Sequence, residues 1–255
     1  MRTFLYLSPI VLLGIYLALN SIGSKTDAIR NNAIETICVL DSGVDTSVEG
    51  LYGVEKHSVI PGSDGSDAVG HGTFVSHLIQ SRIGLNKKYK FVSIQVKKEL
   101  NTLSPLKDRE NLVKGIVLSK KLGCSLVNIS MTSYGDYNEE EFKTIESLRG
   151  STAFIVAAGN DGVNLDLEQN RSFPGSYNLK NVFVIGNGGE IEGIDSRSNF
   201  GSSVYSYVNG RNVSGPGLGG GFVIRSGSSV SAAIFSSYVA TVGVKQFLLL
   251  NQQKR

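Results

Sequence analysis

A chain of 255 residues, 41% apolar and 18% charged, is long enough for one sizeable core and too apolar to stay disordered. Its net charge of +3 is spread along the chain, and the densest basic stretch, residues 86–98, is broken by Tyr89 and Phe91 in a strand-like alternation, which argues against a nucleic-acid footprint. Three histidines and two cysteines without H-x-x-x-H or paired-cysteine spacing argue against zinc, and no metal or cofactor is expected.

Taken in chain order, the first feature is an uncharged run from Phe4 to Ile22, behind Arg2, about as long as a bilayer core is thick. Ser21 and Gly23 have the small side chains and spacing of a signal-peptidase site. Residues 1–24 therefore read as a signal peptide or as an uncleaved membrane anchor through residues 4–22. Both outcomes export residues 25–255, expected to form one domain that is secreted, periplasmic or membrane-anchored outside the cytoplasm.

From Glu35 onward, short β-branched runs alternate with helical patterns. The runs are Thr36–Leu40, Phe91–Val96, Leu126–Ser130, Ala153–Ala157 and Val182–Ile185. Between them Phe74, Val75, Leu78 and Ile79 recur at helical spacing, as do Leu112, Ile116, Val117 and Leu122. This order predicts an α/β fold of three layers, with a mostly parallel central sheet flanked by helices. Beyond residue 190 the chain turns rich in glycine and serine, with a loop or hairpin around Gly215–Gly221 and a small-residue helix beginning near Ser229. Cys38 and Cys124 border or lie within apolar runs, so buried free thiols are preferred over a disulfide, although an exported chain could oxidise them.

In parallel sheets ligands bind beyond the carboxyl ends of the strands, which directs attention to the residues ending each run. The first run ends in Asp41-Ser42-Gly43, where a carboxylate would be partly desolvated and held by rigid backbone; the same tripeptide is also ordinary turn chemistry. His71 sits between Gly70 and Gly72 at the head of the helix carrying Phe74. It is a proton carrier near neutral pH if its partners are in reach, and a solvated loop residue if not. Ser229, in Gly227-Ser228-Ser229-Val230, stands where a glycine turn meets a helix start; a simple helix cap is the alternative. His57 and His77 have no comparable setting.

Asp41-Ser42-Gly43, His71-Gly72-Thr73 and Gly227-Ser228-Ser229, in that order, resemble the three signature blocks of the subtilisin family of serine peptidases. A fourth block, Ala157-Ala158-Gly159-Asn160, resembles its oxyanion segment, and the likeness runs from about Ile34 to about Val242. The resemblance implies a serine endopeptidase in which Asp41, His71 and Ser229 form the catalytic triad and Asn160 donates to the oxyanion. It also implies that Ser130, Met131 and Thr132 pair with an extended peptide or protein substrate, opposite a pocket wall of Ala157, Ala158 and Gly159. Relatives commonly carry glycine where Thr132 and Ser133 stand, so a narrowed pocket preferring small or medium side chains is expected.

Several features depart from the family pattern. Ser228 replaces a threonine and Ala233 a proline. Only about a dozen residues separate Gly23 from the first strand, too few for the folding domain that many relatives carry, which leaves room for a separate inhibitor or folding partner. Asp64 and Asp67 share a glycine-rich loop, but two carboxylates do not make a calcium site that wants six to eight oxygens. A degenerate, exported peptide-binding module is the rival reading. An esterase of the α/β-hydrolase type is disfavoured by the missing G-x-S-x-G elbow, and a dinucleotide fingerprint at Gly215–Gly221 by the lack of a preceding βα unit.

Overall fold

The computed structural model describes residues 34–83, 89–98, 105–131, 133–189 and 193–252; the leader or anchor expected over residues 1–24 lies outside them, as does Thr132. Seven strands form one sheet: β1 (Glu35–Asp41), β2 (Glu55–Ser58), β3 (Tyr89–Gln95), β4 (Leu126–Ile129), β5 (Ala153–Ala157), β6 (Val182–Asn187) and β7 (Val204–Val208). Their spatial order is β2-β3-β1-β4-β5-β6-β7, and every neighbouring pair is parallel. The predicted α/β architecture is therefore what the chain adopts.

Both faces of this sheet are covered, which is why the central strands read as unbroken apolar runs instead of alternating ones. Ile37 and Val39 of β1 point to one face, where they join Phe74, Val75, Leu78 and Ile79 of helix α1 (His71–Arg82). Cys38 and Leu40 point to the other, toward Leu112 and Ile116 of α2 (Pro105–Lys121) and Ile145 of α3 (Glu139–Ser147). The first face is completed by Val230, Ala232, Ala233, Val239 and Ala240 of α4 (Ser228–Val242) and by Phe247 of α5 (Val244–Gln252). Helix α4 runs unbroken through Ala233, so the alanine continues the helix where relatives use proline.

A second, two-stranded antiparallel sheet, β8 (Val213–Pro216) with β9 (Phe222–Arg225), makes the expected hairpin just ahead of Ser229. Along β9, Phe222 and Ile224 face solvent while Val223 and Arg225 are half-buried. Strand alternation thus turns Arg225 inward, toward the first turn of α1.

One expectation is overturned. Cys38 and Cys124 are not free thiols but form a disulfide, their Cα atoms 5.9 Å apart. The cause is register: β1 pairs with β4 so that Cys38 lies opposite Val127, and Cys124 sits in the turn that enters β4. Adjacency of two strands separated by 86 residues of chain cannot be read from local sequence.

Candidate active site

The site lies at the carboxyl edge of β1, β4 and β5, where three distant stretches of chain meet. Asp41 is the last residue of β1 and is 3% exposed. Its Oδ1 accepts the Ser42 N–H at 2.7 Å, which fixes the carboxylate plane. The His71 Nδ1 lies 2.7 Å from Asp41 Oδ1 and 2.9 Å from Oδ2, and the Nε2 on the far side of the ring lies 3.2 Å from Ser229 Oγ. Acid, imidazole and hydroxyl thus form one hydrogen-bonded line.

How the chain aims His71 follows from its helix start. The first N–H groups of any helix lack intrahelical partners, and Gly70, the capping residue, has no side chain to supply one. The acceptors come from elsewhere. Ser42 Oγ takes the Gly72 N–H at 2.9 Å, and Asp67 takes the N–H groups of Val69, Gly70 and Thr73 together with the hydroxyls of Ser42 and Thr73, at 2.6 to 2.9 Å. Asp67 is therefore the clamp that ties the turn after Asp41 to the helix head carrying His71. Gly72 is required there because a Cβ would strike the Gly43 carbonyl and come within 3.2 Å of the Asp41 side chain. Asp64 does not join this clamp; it caps Ser66 and lies 3.5 Å from Lys56.

Burial of the His71 ring is the largest influence on its charge and disfavours it; the Asp41 charge and hydrogen bond act oppositely, Arg225 repels and Asp67 attracts, and the balance raises the pKa above its ordinary value. Of the other histidines, His57 bonds to Glu55 at 2.5 Å on the edge strand β2, and His77 lies farther along α1, partly buried.

Ser229 is the second residue of α4, and its own N–H lies in the first turn without an intrahelical acceptor. The turn is held from the β5 side: Asn160 Oδ1 accepts the Ser228 N–H at 2.8 Å and Ser228 Oγ accepts the Gly159 N–H at 3.0 Å. The hydroxyl kept at position 228 therefore fastens the serine turn to the Gly159-Asn160 segment. Asn160 is exposed, and with its oxygen so engaged its Nδ2 has no acceptor among the described residues. Gly227, at φ 134°, leaves the room this needs, since a Cβ there would lie 3.0 Å from Asn160 Oδ1.

Two segments flank this point. Beyond β4, Ser130 donates its hydroxyl to the Ser229 carbonyl at 3.3 Å and Met131 packs against the core, while Ala157, Ala158 and Gly159 continue from β5. Ser133 turns away to pair with residues 172–173, its carbonyl accepting the Phe173 N–H at 2.9 Å. Sequence reading missed what joins the two walls. The Tyr134 hydroxyl donates to Asp161, and buried Asn199 donates to Tyr134 at 2.9 Å and to the Ala158 carbonyl at 2.9 Å while accepting the Asp161 N–H at 3.0 Å. Burial, followed by the Asp161 contact, pushes the Tyr134 phenol up to about 12.

The Subtilase family model matches residues 34–246, nearly all of the described chain. The chain belongs to the subtilase family. Among curated subtilases it is 30% identical over 211 residues to Subtilisin-like protease 5 of Arthroderma otae, covering 76% of this chain and 49% of that protein. It is also 30% identical to Subtilisin-like protease 1 of Pseudogymnoascus destructans, covering 77% and 48%. This subtilase thus spans about half the length of the curated relatives it matches. Among solved structures it superposes on a cold-adapted subtilisin-like serine proteinase with a TM-score of 0.67 at 22% identity, covering 85% of this chain and 81% of that one. The prenylagaramide maturation protease PagA gives 0.65 at 23%, covering 87% and 76%.

Proposed function

We propose that the chain is a serine endopeptidase working through an acyl-enzyme. Ser229 Oγ attacks the peptide carbonyl as His71 takes its proton; His71 then returns it to the leaving amine, and Asp41 holds the ring and offsets its positive charge. Asn160 Nδ2 and the Ser229 N–H receive the oxyanion, at the position where negative charge develops. The observation that carries this reading is the continuous line from Asp41 through His71 to Ser229, with contacts of 2.7 and 3.2 Å.

A peptide or protein substrate would lie extended between Ser130, Met131 and Thr132 on one side and Ala157, Ala158 and Gly159 on the other. The Tyr134–Asp161–Asn199 tie joins the two walls, and a preference for small or medium side chains before the cleaved bond rests on Thr132 standing where relatives commonly carry glycine. Cleavage profiling that favoured large aromatics would contradict that preference. Action outside the cytoplasm, as a secreted or anchored enzyme, is supported by the disulfide together with the apolar leader. A separate inhibitor or folding partner remains compatible with this reading.

The direct test compares the chain with Ser229→Ala using a serine-directed fluorophosphonate and a mixed peptide library. Labelling and cleavage that both disappear in the variant identify the nucleophile. Peptide binding without labelling of the unsubstituted chain would instead favour the degenerate binding module.

A further inference from the structure

Among the described residues, Arg225 is a charge without an ion-pair partner beside the proposed catalytic histidine. It ends β9 on the hairpin's inward face, with its guanidinium carbon 5.7 Å from the centre of the Phe74 ring. A terminal nitrogen lies 3.7 Å from where a Gly70 Cβ would stand, so the group rests against the turn that bears His71. Its Nε is buried without an acceptor, and among the described residues the guanidinium has neither a hydrogen bond nor an ion pair. The two carboxylates that act on His71 are engaged elsewhere: Asp41 with Ser42 and His71, Asp67 with Ser42, Val69, Gly70 and Thr73.

A guanidinium held half-buried on an aromatic face, with its donors unspent, is arranged for an anion arriving from outside. Its position indicates which part of a substrate would bring one. The proposed acyl side lies between residues 130–131 and 157–160, whereas Arg225 stands at the helix head carrying His71, the group that hands a proton to the leaving amine. We propose that Arg225 recognises a side-chain carboxylate, an aspartate or glutamate of the substrate, one or two residues beyond the cleaved bond. This rests on the peptidase reading for its assignment to the leaving side. The repulsion that Arg225 exerts on the charged His71 ring is consistent with that closeness.

The test is binding of C-terminally amidated peptides, each carrying one glutamate or its glutamine counterpart at successive positions, to the full chain with Ser229→Ala. At the responsive position glutamate binds about tenfold tighter than glutamine, as expected for a charge-assisted bidentate contact. With Arg225→Met added the ratio falls to within about twofold of unity, and with Arg225→Lys, which keeps the charge and loses the fork, part of it survives. Cleavage of the same peptides by the unsubstituted chain assigns the position. A ratio near unity throughout, a ratio that survives Arg225→Met, or a responsive position on the acyl side overturns the proposal. Loss of fluorophosphonate labelling in the unsubstituted chain would count against the nucleophile alone, because the glutamate-to-glutamine ratio still judges Arg225.

Discussion

In the proposed mechanism His71 must be neutral to accept the Ser229 proton, and its surroundings raise its pKa, with burial opposed by the Asp41 charge and hydrogen bond. The expected kcat/KM profile therefore climbs with pH to a half-maximum above the ordinary imidazole value of about 6.5. The same shift stabilises the fold in the opposite sense. Its contribution is complete below the unfolded-state pKa and vanishes as pH rises through the folded one, so this increment of stability is lost while activity is gained. A half-maximum below 6 would contradict the arrangement. Asn160→Ala should cut kcat far more than it raises KM, by about 10²–10³, a figure established for such a donor in subtilisin itself; unchanged turnover would remove Asn160 from the mechanism. Asp41, His71 and Ser229 were legible because each ends a strand run or opens a helix beside glycine. Tyr134, Asp161 and Asn199 were not, because their partnership spans up to 65 residues and uses residue types common in any loop.

At the scale of elements, the join between α2 and α3 depends on a buried ion pair. Arg109 donates to both Glu141 oxygens, the Tyr177 hydroxyl donates to Glu141 at 2.6 Å, and Arg109 lies 5.3 Å from the centre of the Phe173 ring. Glu141→Ala leaves the buried guanidinium without its carboxylate, facing the Tyr177 hydroxyl at 3.2 Å, and should lower unfolding free energy by about 3–5 kcal/mol, read as a denaturant midpoint shift at constant slope. The five central strands were legible as apolar runs. The edge strands β2 and β7 were not: Glu55-Lys56-His57-Ser58 is wholly polar, and Val204–Val208 is only half-buried. Helix α3 did carry a start signal, since Asn138 accepts the Glu141 N–H at 2.9 Å with three glutamates in the first turn, but its small apolar content masked the period.

For the whole molecule, the disulfide is the one covalent tie across the sheet, closing an 86-residue separation between β1, which ends in Asp41, and the entry to β4. Replacing both Cys38 and Cys124 by alanine should cost about 2–5 kcal/mol, and added reductant should lower the unfolding temperature of the unsubstituted chain only. Equal melting with and without reductant would contradict the bridge. A second long-range feature concerns how α1 and α4 share a core. His71 opens one helix and Ser229 stands at the head of the other, and below them Phe74, Val75, Leu78 and Ile79 lie in one cluster with Val230, Ala233, Val239 and Ala240. The two helices act as the arms of a caliper: apolar side chains well below the jaws set the gap at the tips. A methyl group added or removed down there can open or shut that gap by tenths of an ångström, so proton hand-off would falter in proteins that still melt almost normally.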